Sequence, residues 1–141
     1  MAAKHRLQRL QRLEKVRAIA KQNAAREAAA AESTLSQLEM LAARTGQLMA
    51  DYSARRGASD GAELRQFGAF RAGLQGVSEA TSADALRARH LADHKLLALA
   101  AAERARQAVE DRAMRETESI ARGSVEPVLA GRRTAIGTPL E

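Results

Sequence analysis

Cysteine and tryptophan are absent from the 141-residue sequence, proline occurs twice, and aromatic residues make up 2% of it. Each shortage excludes something. No disulfide can form, and nothing in the cysteine usage argues for export. Both prolines, Pro127 and Pro139, lie near the C-terminus, so the long stretch before them holds no strong helix breaker. No run approaches the ~20 apolar residues of a membrane span. Behind Met1-Ala2-Ala3-Lys4-His5-Arg6 there is no apolar segment of the kind a secretory signal carries. The protein is therefore expected to be soluble and cytoplasmic. Large apolar side chains are scarce as well: 45% of residues are hydrophobic, but most of these are alanine. At ~25 cal/mol per Å² of apolar surface, an alanine core stabilises little per residue.

What remains is rich in Ala, Glu, Lys, Leu, Arg and Gln, the composition of long helices and coiled coils. One clear break interrupts it, at Ser53-Ala54-Arg55-Arg56-Gly57-Ala58-Ser59-Asp60-Gly61-Ala62. Gly57 can close a helix in the left-handed conformation, behind the positive charge of Arg55 and Arg56. Asp60 can cap the next helix, with Glu63 completing a capping box. A stop followed so soon by a start leaves two helices antiparallel and side by side. The fold expected is all-α: a long antiparallel two-helix coiled-coil hairpin over residues 1–122, with its turn near 54–61. Gly123, Pro127, Gly131, Gly137 and Pro139 then mark a flexible tail over 123–141.

The first helix should run from about His5 to Ser53, roughly 75 Å at ~1.5 Å per residue. Its apolar seam reads Leu13, Val16, Ala20, Ala24, Ala28, Ala31, Leu35, Leu38, Ala42, Thr45, Met49 and Tyr52. Between Leu13 and Ala28 that seam departs from strict heptads. The second helix should run from about Gly61 to Arg122, roughly 90 Å. Its seam reads Phe67, Phe70, Leu74, Val77, Thr81, Ala85, Ala88, Ala92, Leu96, Leu99, Ala102, Ala105, Val109, Ala113 and Ile120. Folding at Gly57 sets Gly73 and Gly76 opposite Leu38 and Leu41, small residues against large. It also sets Leu10 opposite Arg104, leaving residues beyond Gln107 as an unpaired overhang. Val109, Ala113 and Ile120 would lie on that overhang.

Few constellations promise chemistry. His90 and His94 share a helical face at a zinc-ligand spacing, but no cysteine or catalytic Glu joins them. No glycine-rich phosphate loop and no Ser/His/Asp grouping is present, and a two-helix hairpin makes no shielding pocket. No enzyme and no cofactor is expected. Charge is more telling: the net charge is +6 and the pI about 10.7. Lys4, Arg6, Arg9, Arg12, Lys15, Arg17, Lys21 and Arg26 face only Glu14 before Glu27. They form a positive docking face at the open end of the hairpin. No aromatic or groove-reading element accompanies them, so nucleic acid is not the expected partner. At the other end, Tyr52, Phe67 and Phe70 flank the turn and are all the aromatics of the chain. They either stiffen the tip or form a partner hot spot.

The basic start Arg6-Leu7-Gln8-Arg9-Leu10, the Ala/Glu/Leu helix, the short turn and Glu63-Leu64-Arg65-Gln66-Phe67-Gly68-Ala69-Phe70 leading to Leu74 come in a telling order. In this order and length, with His94-Lys95-Leu96-Leu97 and Glu103-Arg104 later on, the chain resembles the flagellar export protein FliJ family and the stalk proteins of type III secretion injectisomes. The resemblance implies a non-enzymatic stalk that sits in the export ATPase ring, contacts the cytoplasmic domain of the export gate, and assists export chaperone cycling. It implies a monomer in isolation, peripheral to the inner-membrane export apparatus and not inserted in the membrane. It places Arg6, Arg9, Arg12, Lys15 and Val109 at the ring and Tyr52, Phe70 and Leu74 at the gate. The alternative from the residues alone is a basic coiled-coil scaffold or nucleic-acid binder.

Overall fold

The structure, a computed structural model, describes residues 2–54 and 60–135, of which 124–135 are described by their backbone alone. Two helices account for nearly all of it: α1, Ala2–Ala54, and α2, Gly61–Ala135. They lie against each other as an all-α helical hairpin. Asp60 caps α2 as expected, its Oδ1 accepting the Glu63 N–H at 2.7 Å and its carbonyl accepting the Leu64 N–H at 3.1 Å. Arg55, Arg56 and Gly57, the expected stop signal of α1, lie outside the described residues. α2 does not end near Arg122: it passes Gly123 and Pro127 and runs to Ala135. Extending an existing helix needs no new nucleus, so breakers that would prevent a helix from starting do not end this one.

The described residues form two compact units, a terminal unit of 2–23 with 100–135 and a turn unit of 24–99. In the turn unit Ala28, Ala31, Ala88 and Ala92 are buried. Small side chains at these places let the two axes approach closely. Thr45 and Thr81 are buried in the same unit, and the Thr45 hydroxyl donates to the Leu41 carbonyl at 2.9 Å. That bond spares the hydroxyl an unpaired burial. Cross-helix ion pairs Lys95–Glu27 at 3.0 Å and Arg89–Glu39 at 2.8 Å flank this core. In the terminal unit Val109 and Ala113 are buried, with Arg6–Glu116 at 3.4 Å and Lys21–Glu103 at 2.9 Å between the helices. In each unit the partner's number falls as the first rises, the mark of an antiparallel pair.

The seam differs from the expected one by a consistent rule. On α1 the less exposed positions include Leu7, Leu10, Glu14, Lys21, Ala24 and Ala28, while Leu13, Val16 and Ala20 face outward. On α2 Ser78, Lys95, Arg106 and Glu116 take seam places, and Phe70, Val77 and Leu96 are exposed. From Leu74 to Ile120 the α2 seam steps by four and three without a break, a strict heptad. The heptad thus runs through charged residues, of which Lys21, Lys95, Arg106 and Glu116 reach partners across or along the helices, instead of detouring to the nearest apolar letter.

Register is also shifted. The pairs Arg6–Glu116, Lys95–Glu27 and Tyr52–Phe70 each centre on Gly61, not on Gly57. Residues 61–66 of α2 are all exposed, and its less exposed positions begin at Phe67, which packs on Tyr52. Two expectations fall with this. Leu10 lies beside Arg112, with which it lines a cleft, and not opposite Arg104. The overhang does not begin at Gln107, because α1 covers Val109 and Ala113. Nor do Gly73 and Gly76 meet large side chains: a Cβ at either, or at Gly46 or Gly68, would find nothing within 4 Å.

Two candidate docking surfaces

The turn unit gathers the tyrosine and both phenylalanines of the chain into one cluster. Tyr52 lies 4.7 Å from Phe67 and 4.4 Å from Phe70, centroid to centroid, with planes tilted by 37° and 33°. These are favourable aromatic separations. Tyr52, Phe67 and Leu74 are half-buried, while Phe70 is 46% exposed. Tyr52 and Phe67 thus pack together as one of the two expected roles requires, while Phe70 packs on Tyr52 and keeps part of its ring exposed. Leu41 and Leu48 on α1 and Val77 on α2 are exposed too. In the heptad each of these stands just before a seam residue (Ala42, Met49 and Ser78), positions that share one side of an antiparallel pair, and Phe70 lies on the same face of α2 two turns before Val77. The tip thus has an apolar side wider than Tyr52, Phe70 and Leu74. Val77 was not legible as part of it because an apolar letter reads as seam; Ser78, one place on, carries the signal that the heptad passes it by.

The terminal unit has different chemistry. Arg6, Arg9, Arg12 and Lys15 are all exposed, and Val109 is not among them. Val109 is buried in the interface, so the expected ring contact by that side chain is corrected: it holds α1 to α2. A cleft of about 480 Å³ is lined by Arg6, Arg9, Leu10, Arg112 and Glu116. A second, of about 830 Å³, is lined by Ala2, His5, Arg6, Gln8, Arg9 and Arg12. Lys15 lines neither.

Carboxylates in this unit are mostly engaged. Glu103 accepts a two-pronged bond from Arg106, 3.1 Å from Nε and 2.9 Å from Nη2, and pairs with Lys21. Arg106 also reaches Glu110 at 2.8 Å. Asp111 accepts from Gln107 at 3.3 Å, Glu116 pairs with Arg6, and Glu118 with Arg122 at 3.6 Å. The hydrogen bonds from Arg106 and then Lys21 hold the Glu103 carboxyl down at about 2. The same bond raises the Arg106 guanidinium above its ordinary value. Because the folded value of Glu103 is depressed, its stabilisation is whole above the ~4.3 of a free Glu. It is lost as the pH falls through about 2. A carboxyl-carbon NMR titration should give Glu103 a midpoint near 2, and Lys21→Ala together with Arg106→Ala should return it toward ~4.3. A midpoint near the free value in the unsubstituted chain would contradict the network.

His90 and His94 are exposed, and among the described residues no group of three or more metal-ligating side chains gathers. Among the described residues, no helix is long and apolar enough to cross a membrane. No protein-family profile, curated protein or solved structure matches the chain.

Proposed function

We propose that this chain is a non-enzymatic stalk of a flagellar type III protein export apparatus, coupling an export ATPase ring to the export gate and assisting chaperone cycling. The observation that carries the reading is the chemical division of one helical hairpin. Exposed Phe70 beside Leu41, Leu48 and Val77 marks the turn unit, and exposed Arg9, Arg12 and Lys15 mark the terminal unit. Two unlike surfaces suit two unlike partners. The order of sequence features shared with the FliJ family supplies the partners' identity. On this reading Arg6, Arg9, Arg12 and Lys15 meet the ring, and Tyr52, Phe70 and Leu74 meet the gate's cytoplasmic domain. The protein works in the cytoplasm, peripheral to the inner-membrane export machinery.

Pull-down with an export ATPase and with the gate's cytoplasmic domain tests this. Phe70→Ala or Leu74→Ala should weaken gate retention roughly tenfold or more, as for an interface anchor, and leave ring retention intact. Equal loss of both partners with the helical signal unchanged would contradict a division of duties. The unengaged arginines favour one other reading, a basic scaffold that binds nucleic acid. It requires retention on duplex DNA that falls steeply with salt, and a gel shift showing none at low salt eliminates it.

A further inference from the structure

We propose that the face of the terminal unit built from the Arg6–Arg9–Arg112 cleft and the neighbouring Leu13, Val16 and Ile19 takes an acidic amphipathic segment of a partner protein. The inference rests on the reading that this unit docks a partner and names that partner's chemistry. Charge accounting is its first support. Among the described residues, Glu103, Glu110, Asp111, Glu116 and Glu118 are each bound to a donor in the chain. Arg9, Arg12, Lys15 and Arg112 have no carboxylate partner there. Glu14, and Asp111 whose donor Gln107 is neutral, offset part of this charge, but the cations of α1 outnumber its one carboxylate before Glu27, and two of the guanidinium groups line one cleft beside Arg6. Guanidinium groups so gathered favour planar, two-oxygen acceptors.

The second support selects protein over other polyanions. Leu13 is 39% exposed, Val16 59% and Ile19 57%. They follow Arg9 and Arg12 at steps of three and four along α1, so cations and apolar side chains share one face. A partner with carboxylates beside aliphatic groups satisfies both. A phosphate backbone leaves the aliphatic groups bare. Tyr52, Phe67 and Phe70 all belong to the turn unit, so the terminal unit offers a base no Phe, Tyr or Trp ring to stack on, only the His5 imidazole.

The test is fluorescence anisotropy on the full chain with a labelled helical peptide built of Glu and Leu, beside duplex DNA and phosphatidylserine vesicles at the same salt. The peptide should bind most tightly. Arg9→Gln with Arg112→Gln should weaken it roughly tenfold or more, glutamine keeping a similar helix propensity. Arg65→Gln with Arg71→Gln, the same charge removed from the turn unit, should leave binding within about twofold. Val16→Ser with Ile19→Ser should weaken the Glu/Leu peptide but not poly-glutamate. Tighter binding of DNA or vesicles, or equal effects of the two arginine pairs, overturns the inference. Its failure is distinct from that of the stalk. Ring retention that survives Arg9→Gln with Arg112→Gln removes the inference alone, and peptide binding without ring retention removes the stalk alone.

Discussion

Ala92→Asp should lower the stability of the hairpin by about 3 kcal/mol or more, the scale for an uncompensated buried charge. Ala92 is 2% exposed and Ala28 is 3% exposed. The register set by Lys95 and Glu27 brings these alanine layers together, where close-set axes leave no room for a carboxylate and its water. Ion pairs at the flanks do not help, because the Lys95 ammonium is already bound to Glu27 and the Arg89 guanidinium to Glu39. The control is Ala83→Asp, on the exposed surface of the same helix. There only helix propensity is lost, up to ~0.7 kcal/mol. Urea unfolding followed by circular dichroism separates the two, and equal midpoints would mean that Ala92 does not face α1.

The opposite sign is expected for the glycines of α2. Gly68→Ala, Gly73→Ala and Gly76→Ala combined should stabilise the chain by about 2–3 kcal/mol, each recovering most of the ~1 kcal/mol by which glycine falls short of alanine in a helix. All three are helical, and a methyl at any of them would find nothing within 4 Å. No close approach of the two helices therefore opposes the gain. At the usual conversion the melting temperature rises by roughly 5–12 °C. Had these glycines faced Leu38 and Leu41, the added methyls would push the helices apart and the midpoint would fall. The sign of the shift thus reports which face of α2 is turned inward.

The helices and the turn were legible because their signals are local. Asp60 with Glu63 three residues on announces a helix start whatever the rest of the chain does, and the Asp60 cap forms, while the stop signal at Arg55, Arg56 and Gly57 lies outside the described residues. The alanine layers at Ala28, Ala31, Ala88 and Ala92 were legible for the same reason, since there the heptad and the apolar letters coincide. Where they diverge, periodicity wins. Lys95 occupies the seam and Leu96 the surface because a regular two-helix contact repeats every seven residues. A lysine can meet that demand by laying its stem along the partner and reaching Glu27.

Register was not legible because it depends on where pairing begins, not on where the chain turns. Tyr52 meets Phe67 and Phe70, so the pairing centres on Gly61, and no residue type announces such an offset. The offset matters for function. It moves Val109 from a supposed free stripe into the core and brings Arg112 to the arginines of α1. The cationic cleft is therefore a product of register, with one wall from each helix. The tip cluster, by contrast, follows directly from having few rings, all near the turn.

Oxidative crosslinking measures that register, and the absence of native cysteine makes it clean. Leu10→Cys with Ala113→Cys should close an intramolecular disulfide in the monomer, while Leu10→Cys with Arg104→Cys should not, since bridged Cα atoms must lie within ~7 Å. A crosslink in the second pair and not the first, or bridges formed only between separate chains, would contradict the paired hairpin on which both docking surfaces depend.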